Sequence, residues 1–340
     1  MNDFWLRLDR NDEVMRRAWA EWAAIPVDAE VSTDQGQEVE TAGQTTLARA
    51  VEVSGPGTFS SGALRRLRLE PWEDEGWWMD RTDLDDGLPT RVSIRNVWTT
   101  GAIVRNIVLR SGPPHNYVRM VEHIIALKLG LGLDRLMIRL ESGDPPLFER
   151  GSFDLVEAVE SAGLTKTTSP IRWFTVKERV SLCSPSGAFL ILSPVRGEKQ
   201  LLLDVAVDFP NVIGRQRIRC AMSRELFRKV CVARTNTSVG KLWYCRTVGR
   251  LFADIRHLGY TDRNILVAGR RHYRNEPRLL HGGKSLEVVW HRAALDLLAA
   301  LSLVEEGRFV GEVISYKAGH ALDVLLITRL YRRGLLEEIR

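Results

Sequence analysis

The chain has 340 residues, 44% of them hydrophobic and 27% charged, which is enough apolar surface to order a core and excludes general disorder. Lys plus Arg number 48 against 43 Asp plus Glu, a net charge of +5. So mild an excess suits an anionic small ligand and does not call for nucleic acid, and the length fits one large domain or two ordinary ones.

Residues 1–43 read as an N-terminal appendage and linker. Val14 to Ala24 has the pattern of a short helix carrying Trp19 and Trp22, and its charges of both signs suit a docking helix better than a membrane anchor. The polar, acidic run VDAEVSTDQGQEVETAGQ follows as linker. A first α+β domain is expected over 44–165. ARAVEVSG and ALRRLRLEP alternate apolar and polar residues as strands do, across the turn-rich GPGTFSSG. RVSIRNV and AIVRNIVLRS continue as strands. VRMVEHIIALKLGLG changes to helical period, with Val118, Val121, Ile125 and Leu129 on one face. LDRLMIRLES returns to strand, and SFDLVEAVESAG is a helix closed by Gly163.

TKTTSP marks the boundary to a second α+β domain over 166–340. Strands are expected at WFTVKERVSL, AFLILSPV and LLLDVAVDF, then helices at SRELFRKVCVAR, VGRLFADIRHLG and LEVVWHRAALDLLAAL. A strand at EVISYK and a last helix at HALDVLLITRLYRR complete the unit. The repeated grammar of strands followed by helix predicts an α+β fold of two similar domains rather than a doubly wound sheet.

The four cysteines, Cys183, Cys220, Cys231 and Cys245, lack any CxxC spacing, so reduced structural thiols are expected. The N-terminus is charged and has no apolar h-region, and no stretch approaches the roughly 18 apolar residues of a membrane span, so the expected compartment is the cytoplasm.

Three of the seven histidines stand out. Glu122-His123 is a polar pair in an apolar helix, His291 is followed by Arg292 and Asp296, and His320 opens the last helix after Gly319. There it could meet the positive end of the helix dipole. His, Asp and Glu around a divalent metal can generate a hydroxide nucleophile and supply its base. Spacing alone leaves open whether these residues meet or are three separately satisfied half-buried histidines.

The order of the segments resembles one family. VEHIIALKLGLGLD is similar to the VEHLLAALxGLGIDN helix of UDP-3-O-acyl-N-acetylglucosamine deacetylase (LpxC), the zinc enzyme of lipid A biosynthesis. ISYKAGHALDVLL resembles AYKSGHALNNKLL, and SGPGTFSSG stands where the family has SGVGLHSG. VDFPNVIGRQ, FRKVCVART and RTDL at Arg81–Leu84 are similar to family segments and occur in family order. The resemblance spans roughly residues 44–337 and implies two α+β domains with the active site between them. It further implies hydrolysis of an N-acetyl group from a UDP-linked, acylated amino sugar, with peripheral membrane contact through the acyl chain and no nucleic-acid partner. By resemblance Zn2+ would be held by His123, His291 and Asp296, with Glu122 as general base, His320 as general acid and a threonine after Ala-Arg supporting the oxyanion. That threonine is Thr235 or, if an insertion has duplicated the motif, Thr247.

Several positions depart from the family pattern. Its metal motif is His-Lys-x-x-Asp, whereas HRAALD sets His291 and Asp296 five apart, a rotation of about 140° on a regular helix. Either a π-bulge absorbs the extra residue, or Arg292 pairs with Asp296 at i,i+4 and the metal is lost. The family's second aspartate is Ala299 or Ala300, its GLHSG histidine is Phe59, and its MDGS appears as FERGS around Ser152. These changes define a competing expectation, a catalytically silent relative that binds a ligand or partner without turnover.

Overall fold

The computed structural model describes residues 6–9, 11–32, 43–101, 104–251 and 257–339. In chain order its helices are α1 (Asp12–Ala23), α2 (Glu122–Gly130), α3 (Phe153–Ala162), α4 (Arg224–Val230), α5 (Val239–Arg246), α6 (Glu287–His291), α7 (Leu298–Ser302) and α8 (His320–Arg332). A π-helical segment, Arg292–Leu297, joins α6 to α7.

The architecture is α+β, built on two sheets. In the first, the strands run in the order Val51–Pro56, Leu64–Glu70, Arg135–Leu140, Gly76–Arg81 and Thr90–Arg91. The second has seven strands, with Gly311–Tyr316 at its centre between Phe189–Ser193 and Leu201–Asp208. Helices from the two units meet between the sheets, where α2 packs along α7 and the π-helical segment. One apolar cluster runs through this layer, from Leu67, Leu69 and Ile138 across Ile125 to Leu298, Leu203 and Val205. That position explains why α2 is apolar nearly all round, since Ile124, Ile125, Ala126 and Leu127 are all buried.

Two polar ties cross the same layer. Lys128 is buried and its Nζ donates to the carbonyls of Ser302 and Val304, at 3.1 and 2.7 Å, where α7 ends. Burial pushes its pKa down to about 8, so the ammonium persists at neutral pH. Arg308 grips Asp134 with Nε to Oδ1 at 2.7 Å and Nη2 to Oδ2 at 2.8 Å.

The second sheet is buried on both faces. Leu190 and Leu192 point into the inter-sheet core, while Phe189 and Ile191 point the other way, with Ala206, Ile314 and Tyr316. Burial of both faces is why AFLILS reads as a continuous apolar run. The outer face is covered by α1 through Met15, Ala18 and Trp22. The flanks of that helix reach both edges of the sheet. Leu6–Arg7 pairs parallel with Val180–Ser181 at one edge, and Ala29–Val31 pairs parallel with Ile218–Cys220 at the other. Residues 6–9 and 11–31 thus form a strap over the second sheet, and the expected docking helix is its middle. Arg217 locks it: the guanidinium stacks 3.8 Å from the Trp22 ring, donates to Ile25 O at 3.0 Å and chelates Asp204. Residues 33–42 of the expected linker lie outside the described residues.

Some local expectations give way to tertiary context. RVSIRNV is not one strand, because Ser93 Oγ accepts from Arg95 N–H and opens a 3-10 turn over Ile94–Asn96. Val118 belongs to the short strand Tyr117–Val118, and the helix starts only at Glu122. In between, Met120 takes φ 52°, a left-handed conformation rare outside glycine. In the expected helix VGRLFADIRHLG, Val248–Leu251 forms a 3-10 turn and 252–256 lies outside the described residues.

Candidate active site

The candidate residues come together in the layer between the two sheets. α2 presents Glu122 and His123 in its first turn, and α8 presents His320 at its N-terminus. The backbone before each is sharply redirected, through Met120 and Lys317, both at φ 52°. Non-glycine residues held in this conformation cost roughly 1–3 kcal/mol each and mark places where packing fixes the chain against local preference.

The ring centroids of His123 and His291 are 5.3 Å apart. Thr235 Oγ1 lies between them, 3.0 Å from His291 Nε2 and 3.4 Å from His123 Nε2. Thr247 is exposed and donates to Trp243 O at 2.8 Å, so of the two threonines only Thr235 stands with the histidines. His291 and Asp296 are brought to one side by the π-helical turn. Asp296 Oδ1 is 3.4 Å from His291 Nδ1 and 3.5 Å from His320 Nε2. Glu122 Oε1 lies 3.8 Å from His320 Nε2, while its Oε2 accepts from Ile107 N–H at 3.0 Å. The i,i+4 approach of Arg292 to Asp296 is 3.9 Å, but the close partner of Arg292 is Asp323, at 2.5 and 2.6 Å.

The electrostatics divide the groups by role. Burial, reinforced by the neighbouring His291, takes the His123 pKa down to about 3, and burial also lowers that of His291. Both rings are therefore neutral near pH 7 and keep lone pairs free. Burial pushes the Asp296 carboxyl up, but His320, His291 and Arg292 outweigh it and hold the pKa below the ordinary range. Burial raises the Glu122 pKa against the opposing charge of His320. For His320 burial acts downward, yet Asp296 and Glu122 carry the pKa above its usual value.

These residues suit a metal in kind. Two neutral imidazoles and a carboxylate are a donor set that zinc accepts, and Asp296 Oδ1 is buried without a hydrogen-bond partner. Among the described residues, however, no three His, Cys, Asp or Glu side chains are drawn into a ligand cage. The donors are neighbours, with Thr235 between the two rings.

The surroundings include residues the motifs did not single out. Arg234, just before Thr235, is buried and locked to Glu287 of α6, with Nε to Oε1 at 2.7 Å and its backbone N–H to Oε1 at 3.0 Å. One buried pair thereby sets both Thr235 and the helix that ends in His291. Ser152 Oγ donates to His123 O at 2.7 Å, so the serine of FERGS holds α2 from behind. Ala300, four residues past Asp296, is buried and apolar, and His320 Nδ1 has no partner. Phe59 stacks beneath Arg119, with the guanidinium carbon 3.8 Å from the ring. A pocket lined by Thr58, Met120, Phe148, Leu155, Tyr260 and Ile265 opens beside His123 and Thr235.

The profile of the UDP-3-O-acyl N-acetylglycosamine deacetylase family (LpxC) matches residues 44–332. Proteins named UDP-3-O-acyl-N-acetylglucosamine deacetylase from Brucella ovis, Brucella canis and Brucella suis are each 29% identical over 289 residues, covering 82% of this chain and 92% of the relative.

Proposed function

Because the chain belongs to the UDP-3-O-acyl-N-acetylglucosamine deacetylase family, we propose that it hydrolyses the N-acetyl group of UDP-3-O-acyl-N-acetylglucosamine, or of a closely related UDP-amino sugar, in lipid A biosynthesis. The observation that carries the reading is the π-helical turn of Arg292–Leu297, which leaves Asp296 Oδ1 3.4 Å from His291 Nδ1 despite their spacing, with the His291 ring 5.3 Å from that of His123. His123, His291 and Asp296 would hold zinc, which when bound supplies the Lewis acidity that polarises an amide carbonyl.

Glu122 acts as general base. Burial raises its pKa, which brings its basicity nearer the working pH. The Thr235 hydroxyl, aimed between the histidines, donates to the oxyanion that forms when water attacks the carbonyl. His320, whose pKa Asp296 and Glu122 raise, gives its Nε2 proton to the departing amine. With alanine at position 300, the acid depends on Asp296 and Glu122 alone for its orientation, so turnover is slower than in relatives with the second aspartate.

That substitution and Phe59 support the competing reading of a silent relative, and one assay separates the two. Acetate release from UDP-3-O-acyl-N-acetylglucosamine is measured with zinc-loaded protein and with Glu122→Gln, which can still accept from Ile107 N–H but cannot take a proton as a carboxylate does. Turnover in the wild type that falls by about 10²-fold or more in the variant, with zinc content unchanged, is the expected result. No turnover above buffer points to the silent reading, and turnover unchanged in Glu122→Gln removes Glu122 as the base.

A further inference from the structure

The family match begins at residue 44, so the strap that covers the second sheet lies outside it. Some of its polar contacts fasten it to the sheet, as Arg217 does at Ile25 and as Asp9 and Asn11 do at the Cys183 backbone. Three others end on the segments that carry the site histidines. Glu21 of α1 has its Oε2 3.3 Å from the Tyr316 hydroxyl and 3.4 Å from Lys317 Nζ, and Lys317 is three residues before His320. Leu8 O accepts from Arg329 Nη1 in the last turn of α8. Asp28 Oδ1 accepts from Lys284 Nζ at 2.7 Å, just ahead of the helix that ends in His291. The strap therefore grips α8 at both ends and α6 at its approach.

The turn between the central strand and α8 needs such a hold. Lys317 sits at φ 52°, in the left-handed region. Among the described residues no side chain caps α8, and nothing beyond its chain neighbours lies within 4 Å of a Cβ placed on Gly319. The turn is fixed instead at Lys317, whose backbone N–H donates to Ala206 O at 3.1 Å and whose ammonium faces two acids. Asp208 belongs to the sheet, with Oδ2 3.3 Å from both the Tyr316 hydroxyl and Lys317 Nζ. Glu21 comes from the strap and meets the same two groups from α1. The Tyr316 ring is fully buried in the cluster that holds Met15, Ala18 and Trp22. The strap thus bears on the residue before the turn through both its ring and its hydroxyl.

We propose that the strap braces the candidate active site, with Glu21 as a positioning residue that holds the turn 316–319 and so the start of α8, where His320 is presented. A half-exposed ion pair adds little to global stability. What Glu21 supplies is local, a narrower range of positions for the turn. Displacing a reacting group by about 1 Å can cost on the order of 10²-fold in rate. His320 Nδ1 has no partner of its own to correct such a displacement. The kinetic consequence rests on the deacetylase reading, whereas the brace is read without substrate.

The test is amide hydrogen exchange of the full chain, wild type against Glu21→Ala, read by mass spectrometry. Lys317 N–H is bonded to Ala206 O, and the Leu322 and Asp323 N–H groups to Gly319 O, so the turn has bonded amides that report its opening. In Glu21→Ala, exchange across 316–323 should quicken by about tenfold, while α2 is unchanged and the unfolding temperature moves by less than about 2 °C. Glu13→Ala, which removes an exposed acid from the first turn of the same helix, should exchange as the wild type does. In acetate release, Glu21→Ala should lower kcat by about tenfold with KM unchanged. Exchange unchanged in Glu21→Ala, or quickened equally by Glu13→Ala, overturns the proposal. Quickened exchange with kcat unaltered, in a protein that turns substrate over, removes Glu21 as a positioning residue. A wild type without turnover fails the deacetylase reading instead, and exchange alone then decides the brace.

Discussion

The two helices that carry the histidines reach the same place by different routes. α2 is regular: Glu122 and His123 are adjacent, and the turns that follow bury apolar side chains against both sheets. The helix that follows Glu287 cannot be regular, because its two candidate ligands are five residues apart. It opens into a π-helical turn over Arg292–Leu297 and resumes α-geometry at Leu298, so its ends stay in register with the core. An inserted residue is tolerated where one helical turn can widen around it. What holds the widened turn is Arg292. Its guanidinium reaches Asp323 of α8 and donates to Ser315 Oγ of the central strand at 3.2 Å. The pair joins the bulge to the first turn of the helix that presents His320.

The sharpest way to break this comparison is to remove one alanine from each helix. Deleting Ala294 takes out the extra residue, lets the segment return to α-geometry and should preserve folding and zinc binding. Deleting Ala126 from α2 rotates everything beyond it by about 100° off its packing surface and should abolish the soluble fold. Thermal unfolding of the two proteins reads out the contrast. Next in size is Arg292→Met, which leaves Asp323 buried and unpaired and should cost about 3–5 kcal/mol in denaturant unfolding. Arg292→Met/Asp323→Leu, which removes both charges, should recover most of that loss. His320→Ala should keep zinc bound and slow acetate release by about 10²-fold, the scale of general-acid catalysis.

The smallest effect belongs to the first unit. Partial burial acts to raise the Asp83 pKa, but its two bonds from Arg81, both 2.7 Å, hold it below 3.8. A depressed folded-state pKa adds stability that is fully present above the unfolded value and is lost as pH falls through the folded one. Asp83→Asn should therefore be slightly less stable than the wild type at neutral pH, and the difference should close below about pH 4.

Much of this was legible in the sequence because it is local. In the second sheet, Phe189–Ser193, Leu201–Asp208 and Gly311–Tyr316 follow from apolar-rich segments, and α8 from helical period, whereas Arg215–Ala221 (RQRIRCA) carries no such signal. The motifs put Glu122, His123 and His320 in one candidate site and left its threonine open between Thr235 and Thr247; in the structure Thr235 is the one beside His123 and His291. The spacing of His291 and Asp296 posed a choice between a bulge and a plain Arg292–Asp296 pair, but periodicity could not decide it. The deciding contact, Arg292 with Asp323, spans 31 positions and leaves no local trace. The N-terminal strap was hidden for a similar reason. Leu6–Arg7 is two residues long and Ala29–Val31 three, and each is a strand only because a sheet edge is there to receive it. In the opposite direction, RVSIRNV alternates like a strand, yet a single serine hydroxyl turns it into a 3-10 corner.

The central claim, that the widened helix keeps His291 and Asp296 as partners of His123 in one zinc site, is tested most directly by the metal content of the full chain purified without a polyhistidine tag. After exposure to zinc and exhaustive dialysis, elemental analysis should find close to one zinc per chain, and His123→Ala and Asp296→Ala should each lose it. Wild-type protein that emerges metal-free, or zinc retained equally in both variants, would contradict the account.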